Sequence, residues 1–327
     1  MYFSVKEING KKYHYVSDTI YVAKAKSKTK NKSLGRFDGA LSERELNLMD
    51  FEEKIIKEEV QERKKYWGPR MKNKLIFEVE NFESIENLRS SLCRGKESLS
   101  DFGQFGLESA FKTDFIYNSN KLEGSRVPRK TIEEAIRKGG KPNDEVKNSL
   151  KALAYIQDAK NLFAVRNIVN LHRILLDHEP SKHGIRKEPI IVGDFDTLEF
   201  EKIPKALKDI LGWFNKMNHK MYPPELAFEF YYRFERIHPF KDGNGRVGRL
   251  LMNNILKEHR YHPIIIWDNN REAHMHAFAK AIDGSAGKYF RFMTEQMKIT
   301  YDIYSEKIKK AREIDKNIAD TFFTPSR

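Results

Sequence analysis

Residues 238–249 read His-Pro-Phe-Lys-Asp-Gly-Asn-Gly-Arg-Val-Gly-Arg, and they dictate a helix, a sharp break and a second helix. Upstream, Glu225–Arg236 has helical spacing and is crowded with aromatics (Phe228, Phe230, Tyr231, Tyr232, Phe234), so one face must be buried. Pro239 stops that helix, because the residue before a proline avoids the α region. His238 is left on the turn, where an imidazole can face a cleft and take a proton near neutral pH. Gly243-Asn244-Gly245 then opens a helix whose apolar positions include Val247, Leu250, Leu251 and Ile255. Free backbone N–H groups at such a start, approached closely past glycines, make an anion nest. Arg246 and Arg249 sit three apart beside it, although cations at a helix N-terminus oppose the dipole. Two arginines there make sense if an anion lies between them. Asp242, just before the nest, is placed to hold Mg²⁺ against phosphates, and Phe240 would anchor the loop in the core. Alone, His238 reads as a capping or core histidine, and the string as a solvated turn before a basic helix. The complete set of residues favours a nucleotide-phosphate site.

The rest of the chain sets bounds on that site. At 327 residues there is room for two domains, or one with appendages. A hydrophobic fraction of 39% argues against wholesale disorder. The net charge of +13 points weakly to acidic partners such as nucleic acid, phosphate-rich ligands or an anionic surface. Cys93 is the only cysteine, so an intrachain disulfide is excluded and a reducing compartment fits. Nowhere do eighteen apolar residues run together, and no leader pattern opens the chain. The expectation is a soluble, cytoplasmic protein with no membrane contact.

Residues 1–36 alternate apolar and polar positions around the turn-formers Asn9-Gly10 and Ser17-Asp18, which reads as short antiparallel strands. Lys24, Lys26, Lys28, Lys30 and Lys32 recur at every second residue and would share one face of a strand. This segment carries nine lysines or arginines against Glu7 and Asp18, hence +7 of the total. It reads first as a solvated, aggregation-resistant edge, with nucleic-acid or ribosome contact as the alternative. From Ser42, which forms a capping-box pattern with Glu45, helical spacing begins. Ser84–Arg94 reads as a second helix stopped by Gly95. Most of 104–300 is helical, interrupted by a strand or hairpin at Ile190-Ile191-Val192, and the tail after Thr300 is one more amphipathic helix. The segments expected are a basic β-rich 1–36, a helical 37–104, a core over 105–298 and a C-terminal helix over 299–327.

The 238–249 string resembles the Fic family signature, His-x-Phe-x-Asp-Gly-Asn-Gly-Arg-x-x-Arg, at every fixed position. The resemblance spans about 105–298 and implies a mainly α Fic-fold bundle with a small β-hairpin flap. It implies an enzyme, a nucleotidyltransferase moving AMP from ATP with Mg²⁺ to a Ser, Thr or Tyr hydroxyl of a target protein. His238 would be the base and Asp242 the metal ligand. Gly243, Asn244, Gly245, Arg246 and Arg249 would hold the phosphates. The Doc branch, which phosphorylates, is similar but replaces the second glycine by lysine, so Gly245 favours nucleotidyl transfer. His183-Gly184-Ile185-Arg186 through Val192-Gly193 resembles the flap, which aligns a target by strand addition, and Val192 and Gly193 would approach the nucleotide.

Ser119-Asn120-Lys121-Leu122-Glu123-Gly124 resembles the family's inhibitory motif. Ser119 and Glu123 share a helical face with Phe115 one turn earlier, and Gly124 is the expected stop. By resemblance, Glu123 on the helix of about 105–124 would pair with Arg249 and keep the γ-phosphate from its productive place. The same glutamate serves removal of AMP in some members. His274-Met275 and Ile282 stand where the family places base-contacting residues, which leaves transfer of another nucleotide open. His274 would stack on a purine. A binding protein with a regulatory Fic core is the reading from another class, and a homodimer is compatible with either.

Overall fold

The computed structural model describes residues 1–24, 26–38, 41–139, 142–159, 161–192 and 195–323. The chain divides into two compact units, Met1–Leu99 with the residues from Tyr304 onward, and Ser100–Ile303.

In the first unit, β1 (Tyr2–Ile8), β2 (Lys11–Ala23) and β3 (Lys26–Arg36) form an antiparallel sheet in the order β1-β2-β3. Asn9 and Gly10 take positive φ, 51° and 73°, the backbone that a two-residue hairpin requires. The expected turn at Ser17-Asp18 does not form. β2 runs through it, with Ser17 opposite Tyr2 on one side and Asp18 opposite Lys30 on the other. Asp18 gains a salt bridge from Arg94 at 2.9 Å, so pairing on both edges overrides local turn preference. Val16, Ile20 and Val22 share a face and pack with Leu34, Phe51 and Ile55, the last two from α1 (Leu41–Trp67).

Three of the alternating lysines sit on that same covered face. Lys28 pairs with Glu62 at 3.0 Å, Lys30 with Glu58 at 2.5 Å and Lys32 with Asp50 at 2.5 Å, all carboxylates of α1. Each of these partly exposed ammonium groups is paired within the unit. Gly95 does not stop its helix either, since α2 runs Phe82–Glu97. Instead it clears space for Ile308, whose Cγ2 would lie 2.9 Å from a Cβ at that position. The Ser42–Glu45 capping box rests on side chains outside the described set.

The second unit is helical apart from one hairpin. It contains α3 (Asp101–Leu122), α4 (Arg129–Lys138), α5 (Asp144–Asp158) and α6 (Val165–Leu175), followed by β4 (Ile191–Val192) paired with β5 (Phe195–Asp196). Then come α7 (Ile203–Met217), α8 (Pro223–Ile237), α9 (Asn244–Glu258), α10 (Arg271–Ile282) and α11 (Ala286–Phe323), which belongs to this unit as far as Ile303. α8 and α9 form its centre. Phe228, Phe230, Tyr231 and Phe234 of α8 and Val247, Leu251, Met252 and Ile255 of α9 are buried. Among the described residues, no helix is long and apolar enough to cross a membrane.

Gly248 sets how closely α8 and α9 approach. A Cβ there would meet the Tyr231 ring at 2.8 Å and Glu235 Oε1 at 3.0 Å. Gly248→Ala should therefore lower unfolding stability by about 1–3 kcal/mol through overpacking, read as an earlier midpoint in urea. An unchanged midpoint would show that the two helices are not held this tightly.

Candidate active site

α8 ends where the sequence places Pro239, and His238 caps it with φ 48° and ψ 61°. A left-handed backbone at a residue other than glycine costs roughly 1–2 kcal/mol, so the surroundings must enforce it. Arg186 does so. Its Nε donates to the His238 carbonyl at 2.9 Å, and its backbone N–H donates to the Pro239 carbonyl at 2.9 Å. The same guanidinium donates to the carbonyls of Glu188 and Leu198. One buried arginine thus ties the His238 loop to the strand that leads into the β4–β5 hairpin.

The turn into α9 is closed by Asn244. Its amide accepts from the Phe240 N–H and donates to the Phe240 carbonyl, both at 2.9 Å. A phosphate contact by Asn244 therefore falls to its backbone N–H, because its side chain holds the loop. Gly243 caps the helix with φ 79°, and the first N–H groups of α9 are left without intrahelical acceptors. Phe240 is fully buried and stacks on His172 of α6 with ring centres 3.8 Å apart. His172 Nε2 lies 3.0 Å from the Asp242 carbonyl. Burial pulls its pKa down to about 4, so His172 is a neutral support under the loop.

Asp242 faces two cations. Lys182 Nζ donates to Oδ2 at 2.7 Å, and Arg246 Nη2 to Oδ1 at 3.1 Å. Burial alone would raise the Asp242 pKa, but the Lys182 hydrogen bond and the Arg246 charge outweigh it and hold the carboxyl ionised. Arg246 is itself buried, and its Nε has no hydrogen-bond partner. That orphaned donor beside the start of α9 fits an anion.

Arg249 lies one turn further along α9. Its Nε donates to Ser119 Oγ at 3.0 Å, and its Nη2 donates to the Ser119 carbonyl at 2.8 Å and to Glu123 Oε1 at 2.7 Å. Tyr231 OH is 3.5 Å from Nη1. Ser119 and Glu123 thus meet Arg249 across 130 and 126 positions of sequence. Glu123 caps α3, and Gly124 follows with φ 91°. Burial disfavours the Glu123 charge, but Arg249 prevails and lowers its pKa. The contact is therefore present above the ordinary glutamate range and is lost only as pH falls through that lowered value.

Gly245 admits the Glu123 carboxylate. A Cβ there would collide with Glu123 Oε1 and lie 2.7 Å from Arg249 Nη1. The end of α3 is latched as well: Arg271 Nε donates to the Leu122 carbonyl at 3.0 Å, and the Asp268 N–H to Asn118 Oδ1 at 3.0 Å.

The structure therefore gathers His238, Asp242, Gly243, Asn244, Gly245, Arg246, Arg249, Ser119 and Glu123 around the start of α9. Of the flap residues, the hairpin backbone forms as expected, whereas Gly193 and the Val192 side chain lie outside what is described. His274 is placed differently from its expected stacking on a purine. It is buried and lies nearly parallel to Tyr231 at 6.0 Å and Phe292 at 5.5 Å. Burial drops its pKa to about 3, so it is a neutral part of the aromatic core. Lys182, His172 and Tyr231 carry no signal in the sequence that ties them to this site. Arg186 does, through its place just before the hairpin.

Residues 162–256 match the model of the Fic/DOC family. The chain is 29% identical over 235 residues to the protein adenylyltransferase Fic of Drosophila ananassae, covering 68% of this chain and 47% of that protein. The Drosophila melanogaster protein of the same name gives the same identity and coverage. The chain thus spans about half the length of the curated relatives it matches. A Fic domain containing signaling protein from Bacteroides thetaiotaomicron superposes with a TM-score of 0.62 at 23% identity, covering 69% of this chain and 98% of that one. Fic-1 (residues 134–508) from C. elegans gives 0.60 at 20%, covering 84% and 95%. The helical unit that carries His238 and Arg249 has the Fic fold, and residues 162–256 within it match the Fic/DOC family model.

Proposed function

We propose that this protein is a Mg²⁺-dependent protein adenylyltransferase held in check by Glu123. The observation that carries the reading is the convergence on one helix start: His238 on a loop pinned by Arg186, an ionised Asp242, Arg246 with an unmet donor, and Arg249 held by a carboxylate. A carboxylate on Arg249 occupies the place of an anionic ligand. The names of the curated relatives support the same activity.

In this reading the triphosphate lies along the α9 N–H groups with Arg246 and Arg249 on its β- and γ-phosphates. The acceptor hydroxyl attacks the α-phosphorus, the bond to the α,β-bridging oxygen breaks, and pyrophosphate leaves. His238 Nε2 takes the hydroxyl proton. Burial lowers the His238 pKa, so the imidazole is neutral and ready to accept at pH 7. The β4–β5 hairpin offers the target backbone an edge to pair with.

Asp242 supplies one ionised carboxylate just before the start of α9. That fits Mg²⁺, which is commonly bound by one or two carboxylates together with substrate phosphates. Bound there, the ion would neutralise phosphate charge. ATP as co-substrate places the reaction in a compartment that supplies it, and a cytoplasmic location is part of the proposal.

Incubating the Glu123→Gly variant with each labelled nucleoside triphosphate, with Mg²⁺ or with chelator, tests the reading. Covalent label from ATP should predominate, and chelation should abolish it. Equal labelling with chelator, or no covalent label from any nucleotide, would contradict it.

A further inference from the structure

Glu235 lies one turn before His238 on α8, and the transfer reaction as described does not use it. Its carboxyl points between α8 and α9. Oε2 is 3.8 Å from His238 Nδ1, whereas Oε1 is buried without a hydrogen-bond partner. Gly248 leaves room for it, as a side chain there would crowd Oε1 at 3.0 Å. The backbone carbonyl of the same Glu235 is 3.3 Å from His238 Nδ1. Two oxygens of one residue therefore flank Nδ1, which leaves Nε2 as the basic nitrogen. A buried carboxyl oxygen without a partner costs stability, and a strained histidine beside it makes a structural reason for keeping it hard to find.

We propose that Glu235 is the positioning residue of His238: it flanks Nδ1 and, once ionised, balances the positive charge the imidazole gains when Nε2 receives the acceptor hydroxyl's proton. The inference rests on His238 being the base of the proposed transfer. The charged and titratable groups around the carboxyl are His238 and Tyr231 on or at α8, Arg249 on α9, Glu123 at the end of α3 and Tyr289 on α11. Burial first, then the Glu123 charge, push the Glu235 pKa up to about 8 against the pull of Arg249. Glu235 is thus largely protonated at pH 7 and ionises as pH rises through about 8. An anion beside the imidazole raises the basicity of His238. Transfer should therefore keep rising above neutral pH, beyond the titration of His238 itself.

The test uses the full chain in the Glu123→Gly background, comparing Glu235→Gln and Glu235→Asp with the parent. Burial, the larger cause of the raised Glu235 pKa, persists in this background while the Glu123 charge is lost, which moves the ionisation down, so transfer from labelled ATP is followed from about pH 5 to about pH 9 to span it. The His238 imidazole is titrated by NMR in the same proteins, and thermal melting confirms that each is folded. The Gln variant should lose the rise that accompanies Glu235 ionisation, leaving transfer above it about tenfold lower, and its His238 ring signals should lose the second titration step that this ionisation gives them in the parent. The Asp variant, which keeps an ionisable group at a greater distance, should retain the rise in weakened form. An unchanged profile and an unchanged His238 titration in a folded variant would overturn the inference. No labelled product from the parent at any pH would instead remove the adenylyl-transfer reading, while the NMR titration still decides whether Glu235 governs His238.

Discussion

Replacing Glu123 with glycine is expected to raise adenylyl transfer by roughly ten- to a hundredfold, the range of a coupling of about 1–3 kcal/mol. The reason is competition for Arg249. That guanidinium is buried, and its donors are shared between the Ser119 backbone and hydroxyl and the Glu123 carboxylate. A γ-phosphate reaching Arg249 must displace an ionised group that already satisfies it. The displaced carboxylate would also stand beside the incoming phosphate, a second unfavourable charge contact. Glycine removes both effects and leaves the Ser119 contacts to orient Arg249. The measurement is the initial rate of covalent labelling from ATP with the variant and the parent at equal concentration. Equal rates would show that the Glu123–Arg249 ion pair is structural.

His238→Ala in the Glu123→Gly background should lower the rate by about 10²–10⁴-fold, the usual contribution of a general base. Nucleotide binding should change little, because His238 contributes to the hydroxyl side of the reaction while α9 and its arginines hold the phosphates. A labelled-nucleotide binding assay run beside the rate separates the two. Loss of binding together with rate would mean that the alanine has released the loop that Arg186 pins through the His238 carbonyl. An unchanged rate would dismiss His238 as the base.

The chemistry at 238–249 was legible because it is contiguous: twelve residues contain the helix break, the turn glycines and the arginines, and the local backbone brings them together. Glu123 was reachable only through its spacing from Ser119 and a family resemblance, since its partner is 126 positions away. Lys182 on Asp242 and Glu235 beside His238 depend on tertiary approach. A lysine after a proline, or a glutamate in an aromatic helix, reads as an ordinary surface charge. The misplaced elements have the same origin. Ser17-Asp18 is a good local turn, but two neighbouring strands and Arg94 hold it extended. Gly95 is a good local stop, but the closeness of Ile308 explains it better. His274 reads as a purine platform because it stands where the family places base-contacting residues, whereas Tyr231 and Phe292 pack around it in the core.

In the proposed reaction the α9 cradle presents the α-phosphorus, and not the γ-phosphorus, to a protein hydroxyl. Two parallel reactions of the Glu123→Gly variant test this, one with ATP labelled at the α-phosphate and one with ATP labelled at the γ-phosphate. Protein should become covalently labelled from the α position and not from the γ position, with pyrophosphate released. Label carried from the γ-phosphate would mean phosphoryl transfer and would contradict it.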